Sequence, residues 1–109
     1  MAFDQALADR VRAALAKRRG IKERKMFGGI AFMLNGNMCC GVLGKDLVLR
    51  VGPDGHDRAL RRGHARAMDF TGKPMRGFLY VAPKGTASSA ALRSWLGLGL
   101  KFAGSLPRK

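Results

Sequence analysis

Apolar side chains recur at helical spacing near the start of the chain: Phe3, Leu7, Val11 and the pair Ala14/Leu15 fall on one face. Asp4 stands where a capping side chain belongs, and Gly20, after Lys17-Arg18-Arg19, supplies an end, so the spacing predicts a first amphipathic helix. From Arg24 to Val51 the period falls toward two, with breaks at Gly28-Gly29, Asn35-Gly36 and Gly44-Lys45-Asp46. Three antiparallel strands are expected there. Asn35-Gly36 is a hairpin signal, because a type I′ turn needs positive φ at both central residues. Gly28-Gly29 lies inside an apolar run and reads as a bend or bulge within the first strand.

Beyond Val51, Gly52-Pro53-Asp54-Gly55 reads as a loop, Asp57 to Arg62 as a short helix, and Met68 to Phe70 and Arg76 to Val81 as two further strands. Capping residues at Thr86 to Ser89 open a last helix whose Leu92, Trp95, Leu96, Gly99 and Phe102 form one apolar stripe. Gly97 and Gly99 each cost about 1 kcal/mol against Ala in a helix interior, which makes sense where a helix approaches another backbone closely. Leu98 and Leu100 fall partly off the stripe, and contact with a second copy in a homodimer is one explanation. The order α-β-β-β-α-β-β-α predicts an α+β fold, two layers around an antiparallel sheet. Residues 1–109 read as one domain with 106–109 as a tail.

A chain of 109 residues buries enough surface to be stable without disulfides or a structural metal. Its charge balance is the unusual feature: 21 Lys and Arg stand against 7 Asp and Glu, a net +14 that attracts phosphate or acidic protein. The bland explanation is a coding bias toward Arg, Ala and Gly. No apolar run is long enough to span a membrane, and the first twenty residues carry Asp4 and Asp9 in place of a signal-peptide core. Two adjacent cysteines make no disulfide framework, so a cytoplasmic location is expected.

Few motifs carry chemistry. Gly28-Gly29 is followed by Ile30-Ala31-Phe32, and Gly72-Lys73 by Pro74, so neither supplies the Gly-Lys-Ser/Thr of a phosphate loop. Cys39 and Cys40 are expected on opposite faces of one strand, reduced and unligated, because strand side chains alternate. A Cys-His enzyme using His56 or His64 is a remote alternative, since those histidines lie in basic surroundings where Asp54, Asp57 or Asp69 are the carboxylates left to orient the base. No catalytic residue, cofactor or metal ligand is expected. "RGFLYV", Arg76 to Val81, matches part of an RNA-recognition signature, but Leu79, Pro83 and the helix-first order argue against that fold. Phe78 and Tyr80 still share one sheet face. Arg50, mid-strand in "LVLRVG", is expected to pair with Asp69 or Asp46.

The cations gather in two clusters. Lys17, Arg18, Arg19, Lys22, Arg24 and Lys25 form one, with Glu23 among them; Arg58, Arg61, Arg62 and Arg66 form the other. Both read equally as solvated faces or as contacts to nucleic acid or an acidic partner.

"KMFGGIAFMLNGNM", "DLVLRVG", "MDFTGKPMRGFLYV", "WLGLGLKFA" and "SLPRK", in that order and spacing, resemble the TfoX N-terminal domain family, related to competence regulators of the Sxy/TfoX type. The resemblance runs from about Lys25 to Lys109 and implies the same α, β3, α, β2, α arrangement. Full-length members carry a second, C-terminal domain and act as positive regulators, by aiding another DNA-bound activator. The family brings no catalytic residues. Its shared positions here (Met26, Phe27, Gly28, Gly29, Phe32, Arg50, Phe70, Gly72, Pro74, Met75, Gly77 and Leu106-Pro107) read as bends, turns and packing. A non-enzymatic regulatory or adaptor domain with a protein partner is therefore the leading expectation. Direct, sequence-nonspecific nucleic-acid binding is the alternative.

Overall fold

A computed structural model describes residues 3–26, 28–70 and 73–108, without the side chains of 70 and 73–75. Phe27, Gly72 and Lys109 therefore lie outside the described residues. The elements are α1 (Gln5–Ala14), β1 (Ile21–Met26), β2 (Gly29–Leu34), β3 (Asn37–Leu43), β4 (Asp46–Arg50), α2 (Gly52–Leu60), β5 (Ala65–Phe70), β6 (Lys73–Val81), a 3-10 turn (Pro83–Thr86) and α3 (Ser89–Gly104). The six strands form one antiparallel sheet in the order β1-β2-β3-β4-β6-β5. The α+β class and its antiparallel sheet thus agree with the sequence pattern. β6 is inserted between β4 and β5, and α2 is the crossover that joins those two.

Local chemistry sets the helix ends. The Leu7 N–H donates to the Asp4 carboxylate at 3.2 Å, and the Ala91 N–H donates to Ser88 Oγ at 3.0 Å, so both α1 and α3 have a side-chain cap. Leu7, Ala8 and Val11 of α1 and Leu92, Trp95, Leu96 and Ala103 of α3 enter a single core with Ile30, Phe32, Cys40, Val42, Leu47, Leu49, Leu79 and Val81. By register, Phe32 pairs with Cys40, Cys40 with Leu49, and Leu49 with Leu79, so these strand residues share one face. All three helices therefore lie on that face. Each fully buried leucine here gains about 1.5–3 kcal/mol over exposure.

Four strands, not three, precede α2. The sequence "IKERKM" of β1 has no apolar alternation because it is an edge strand exposed on most positions. Gly28, at φ 78°, belongs to the reversal between β1 and β2 and is not a bend inside one strand. Asn35 and Gly36 form the expected hairpin turn, with φ of 53° and 86°, where Leu34 pairs with Asn37. Gly52-Pro53-Asp54-Gly55 is the first turn of α2 and no loop; Pro53 is compatible because an N-terminal helical position needs no N–H donor.

Both cysteines are free thiols on β3, as expected, but their placement on opposite faces is overturned. The β2–β3 register shifts between Phe32 and Met33, so Phe32 faces Cys40 while Met33 faces Met38, and Cys39 is the extra residue of a bulge. The bulge breaks the alternation and brings both side chains into the same core, each fully buried. They are free thiols in mutual contact. The hydrogen bond from the Cys40 S–H holds Cys39 below the ordinary thiol range, while giving that bond, together with burial, pushes Cys40 well above it.

Candidate interaction surface

Among the described residues, no helix packs on the sheet face opposite α1, α2 and α3. None of its residues belongs to the core cluster. One cross-strand row can be followed through all five pairings: Arg24 beside Ala31, Ala31 beside Gly41, Gly41 beside Val48, Val48 beside Tyr80, and Tyr80 beside Arg66. At about 4.8 Å per strand the row spans about 24 Å. Its middle, Ala31, Gly41 and Val48, is buried, so the apolar surface this face presents comes from half-buried Met33, Met38, Phe78 and Tyr80, with Arg24 and Arg66 at the two ends of the row.

The two basic clusters are therefore not one patch. Lys22 and Arg24 project from edge strand β1, and Arg66 from the opposite edge β5. Within the first cluster, Glu23 points to the helix side, where the Arg12 guanidinium donates to it at 2.6 and 2.7 Å. That pair pulls the Glu23 carboxyl below its usual range. Lys17, Arg18 and Arg19 stand in the connection between α1 and β1, and all of them, with Lys25, are exposed. Part of this charge has a structural account: cations along an unpaired strand edge resist edge-to-edge association.

In the second cluster, Arg66 pairs with Asp46 at 2.7 Å and lies 4.6 Å from the centre of the Tyr80 ring. Arg62 sits 4.1 Å from the Trp95 ring and donates to Ser94 Oγ. Arg58 and Arg61 are exposed on and just after α2. Arg50 departs from expectation. Asp46 lies at the other end of β4, about 13 Å away at 3.3 Å per residue, and it is engaged by Arg66. The Arg50 guanidinium lies instead over two rings, 5.5 Å from Phe78 and 5.2 Å from Phe102.

His56, considered as a base at the sequence level, is buried, and its Nδ1 accepts the Gly77 N–H at 2.9 Å. It thereby fixes the kink of β6, where Gly77 has φ 92°. Among the described residues, no group of three or more His, Cys, Asp or Glu could hold a metal ion, and no helix is long and apolar enough to cross a membrane. Leu98 and Leu100 are half-buried against the core, and Leu98 borders the groove between α2 and α3. Sequence reasoning marked Phe78, Tyr80 and the arginines, but missed Ala31, Gly41 and Val48, whose alignment depends on the register of successive strand pairs.

A family model, the TfoX N-terminal domain, matches residues 13–103, most of the chain, with Met26 to Leu34, the whole sheet and nearly all of α3 inside the match. The chain belongs to the TfoX N-terminal domain family. That membership ties it to a regulatory, competence-related class of domain. No curated protein and no solved structure matches it.

Proposed function

We propose that this TfoX N-terminal domain is a non-enzymatic regulatory adaptor that docks an acidic protein surface on its open sheet face. The observation that carries the reading is the helix-free sheet face, where half-buried Met33, Met38, Phe78 and Tyr80 lie beside the free cations Lys22 and Arg24 of β1, while Arg66 at the other end is held by Asp46. Lys22, Arg24 and Arg66 share this face with Asp46, the carboxylate that Arg66 engages. A second copy would bring like charge against like charge, which costs several kcal/mol, whereas an acidic partner meets complementary charge. The rings of Phe78 and Tyr80 already carry guanidinium groups, so a base would have to displace an arginine to stack on them. The non-enzymatic part is supported by the burial of both thiols and by the engagement of His56 with Gly77.

The test is affinity capture from nuclease-treated lysate, comparing the native chain with the double variant Lys22→Glu/Arg24→Glu. The reading expects a protein that survives nuclease treatment, is lost with the variant, and cross-links to β1, β4 or β6. Binding that disappears on nuclease treatment would favour direct nucleic-acid contact instead, and retention by the variant would remove the sheet face from consideration.

A further inference from the structure

On the helical layer, away from the open sheet face, α2 and the second half of α3 enclose a groove of about 670 Å³. Val51, Ala59, Leu98 and Phe102 give it apolar walls, and Arg58, Arg61, Arg62 and Lys101 stand around it, against the carboxylates of Asp54 and Asp57. Asp57 already faces Arg76 at 3.4 Å, which leaves the cations further in excess. Arg62 is turned onto Trp95, so Arg58, Arg61 and Lys101 are the ones left to meet a ligand.

We propose that this groove is a docking site for an acidic amphipathic helix of a protein partner. Three features select that occupant. The volume falls within the roughly 300–1,000 Å³ typical of ligand clefts, room for bulky apolar side chains. The charge around it calls for Asp or Glu beside those apolar anchors. Both walls are helices, whose backbone N–H and C=O groups are bonded within the helix and offer no strand edge to pair with. An extended peptide would therefore leave its own backbone groups unpaired against the apolar walls, whereas a helix satisfies its own. The nine residues of α2 set the groove's length at about 14 Å, so the ligand contributes two to three turns. A fold that positions Leu98 at this groove also accounts for its apolar surface without a second copy of the chain.

The site is independent of the sheet-face reading, and the test keeps the two apart. The probe is a synthetic helical peptide of about sixteen residues with Leu and Trp at i and i+4, flanked by Glu. Its counterparts carry Lys in place of Glu, or a central Pro. Titration followed by backbone amide shifts is expected to move α2 and residues 98–105. Binding should weaken about tenfold or more for the Lys and Pro peptides, and equally for the Arg58→Glu/Arg61→Glu variant of the domain. Those arginines are exposed, so an unchanged melting temperature shows that the variant is folded. The Lys22→Glu/Arg24→Glu variant should bind within about twofold of the native chain. Three results would overturn the proposal: no shifts at millimolar peptide, equal binding of the Lys peptide, or loss of binding in the β1 variant but not in the α2 variant.

Discussion

Replacing Gly99 by Ala should destabilise the domain, while the same replacement two residues earlier should stabilise it. A Cβ on Gly99 would stand 2.6 Å from the Cys39 carbonyl oxygen, 3.0 Å from Leu49 Cδ1 and 3.3 Å from Cys39 Sγ. The nearest atom is backbone in a bulged central strand, so it cannot rotate away, and α3 must shift outward. Overpacking of this kind costs about 1–3 kcal/mol, and here it falls toward the upper end. Removing a helical glycine returns about 1 kcal/mol through helix propensity, leaving a net loss of about 1–2 kcal/mol for Gly99→Ala. At Gly97 a Cβ meets nothing within 4 Å, so only the propensity gain remains. For a domain near this size, 1 kcal/mol moves the melting temperature by about 4–8 °C. Thermal denaturation followed by circular dichroism should therefore separate the two variants by roughly 10 °C or more, with the native chain between them. If both substitutions raise the melting temperature alike, α3 does not approach β3 as closely as described, and the packing argument for its second glycine fails.

His56→Leu should cost about 1–3 kcal/mol in denaturant unfolding, because the Gly77 N–H loses its acceptor in a buried position; an unchanged midpoint would mean that this hydrogen bond does not hold the kink of β6. Both cysteines are fully buried, so neither thiol should react with a thiol-specific chromophore in the native state at neutral pH, and two should react once the chain is unfolded. Rapid modification of one thiol in the folded protein would contradict the shared burial of Cys39 and Cys40 and revive a role for Cys39, whose titration lies below the ordinary thiol range.

What was legible in the sequence was what short-range chemistry decides. Asp4 caps α1, Asn35-Gly36 makes its turn, and the Leu92, Trp95, Leu96 stripe buries itself, since each needs only its near neighbours in the chain. β1 was hidden because an edge strand exposed on most positions carries no period-two signal. The start of α2 was hidden because Gly-Pro-Asp-Gly is turn chemistry and also fits a helix N-terminus, and only the packing of Ala59 against the sheet decides between them. The Cys39 bulge was hidden for a different reason. Alternation is a rule about regular strands, and one inserted residue cancels it.

The same dependence on register governs the charge. A net +14 suggests one large positive patch, yet the fold divides its cations among tasks that the sequence does not separate. Arg12 and Arg66 are ion-paired; Arg50, Arg62 and Arg66 lie over aromatic rings; Lys22 and Arg24 line a strand edge at which pairing with another sheet is disfavoured. A cation resting on a ring covers the apolar surface that a partner would use, and a cation on a carboxylate is electrically spent. Arginines in such contacts therefore count less toward attraction than their number suggests. The exposed cations left to act on a partner gather in places set by the topology: the β1 edge beside the open sheet face, and the α2 side of the helical groove, where Arg58 and Arg61 stand. Because these lie on different layers of the molecule, charge reversal at one should leave binding at the other intact, which is the outcome that the two proposed docking surfaces predict.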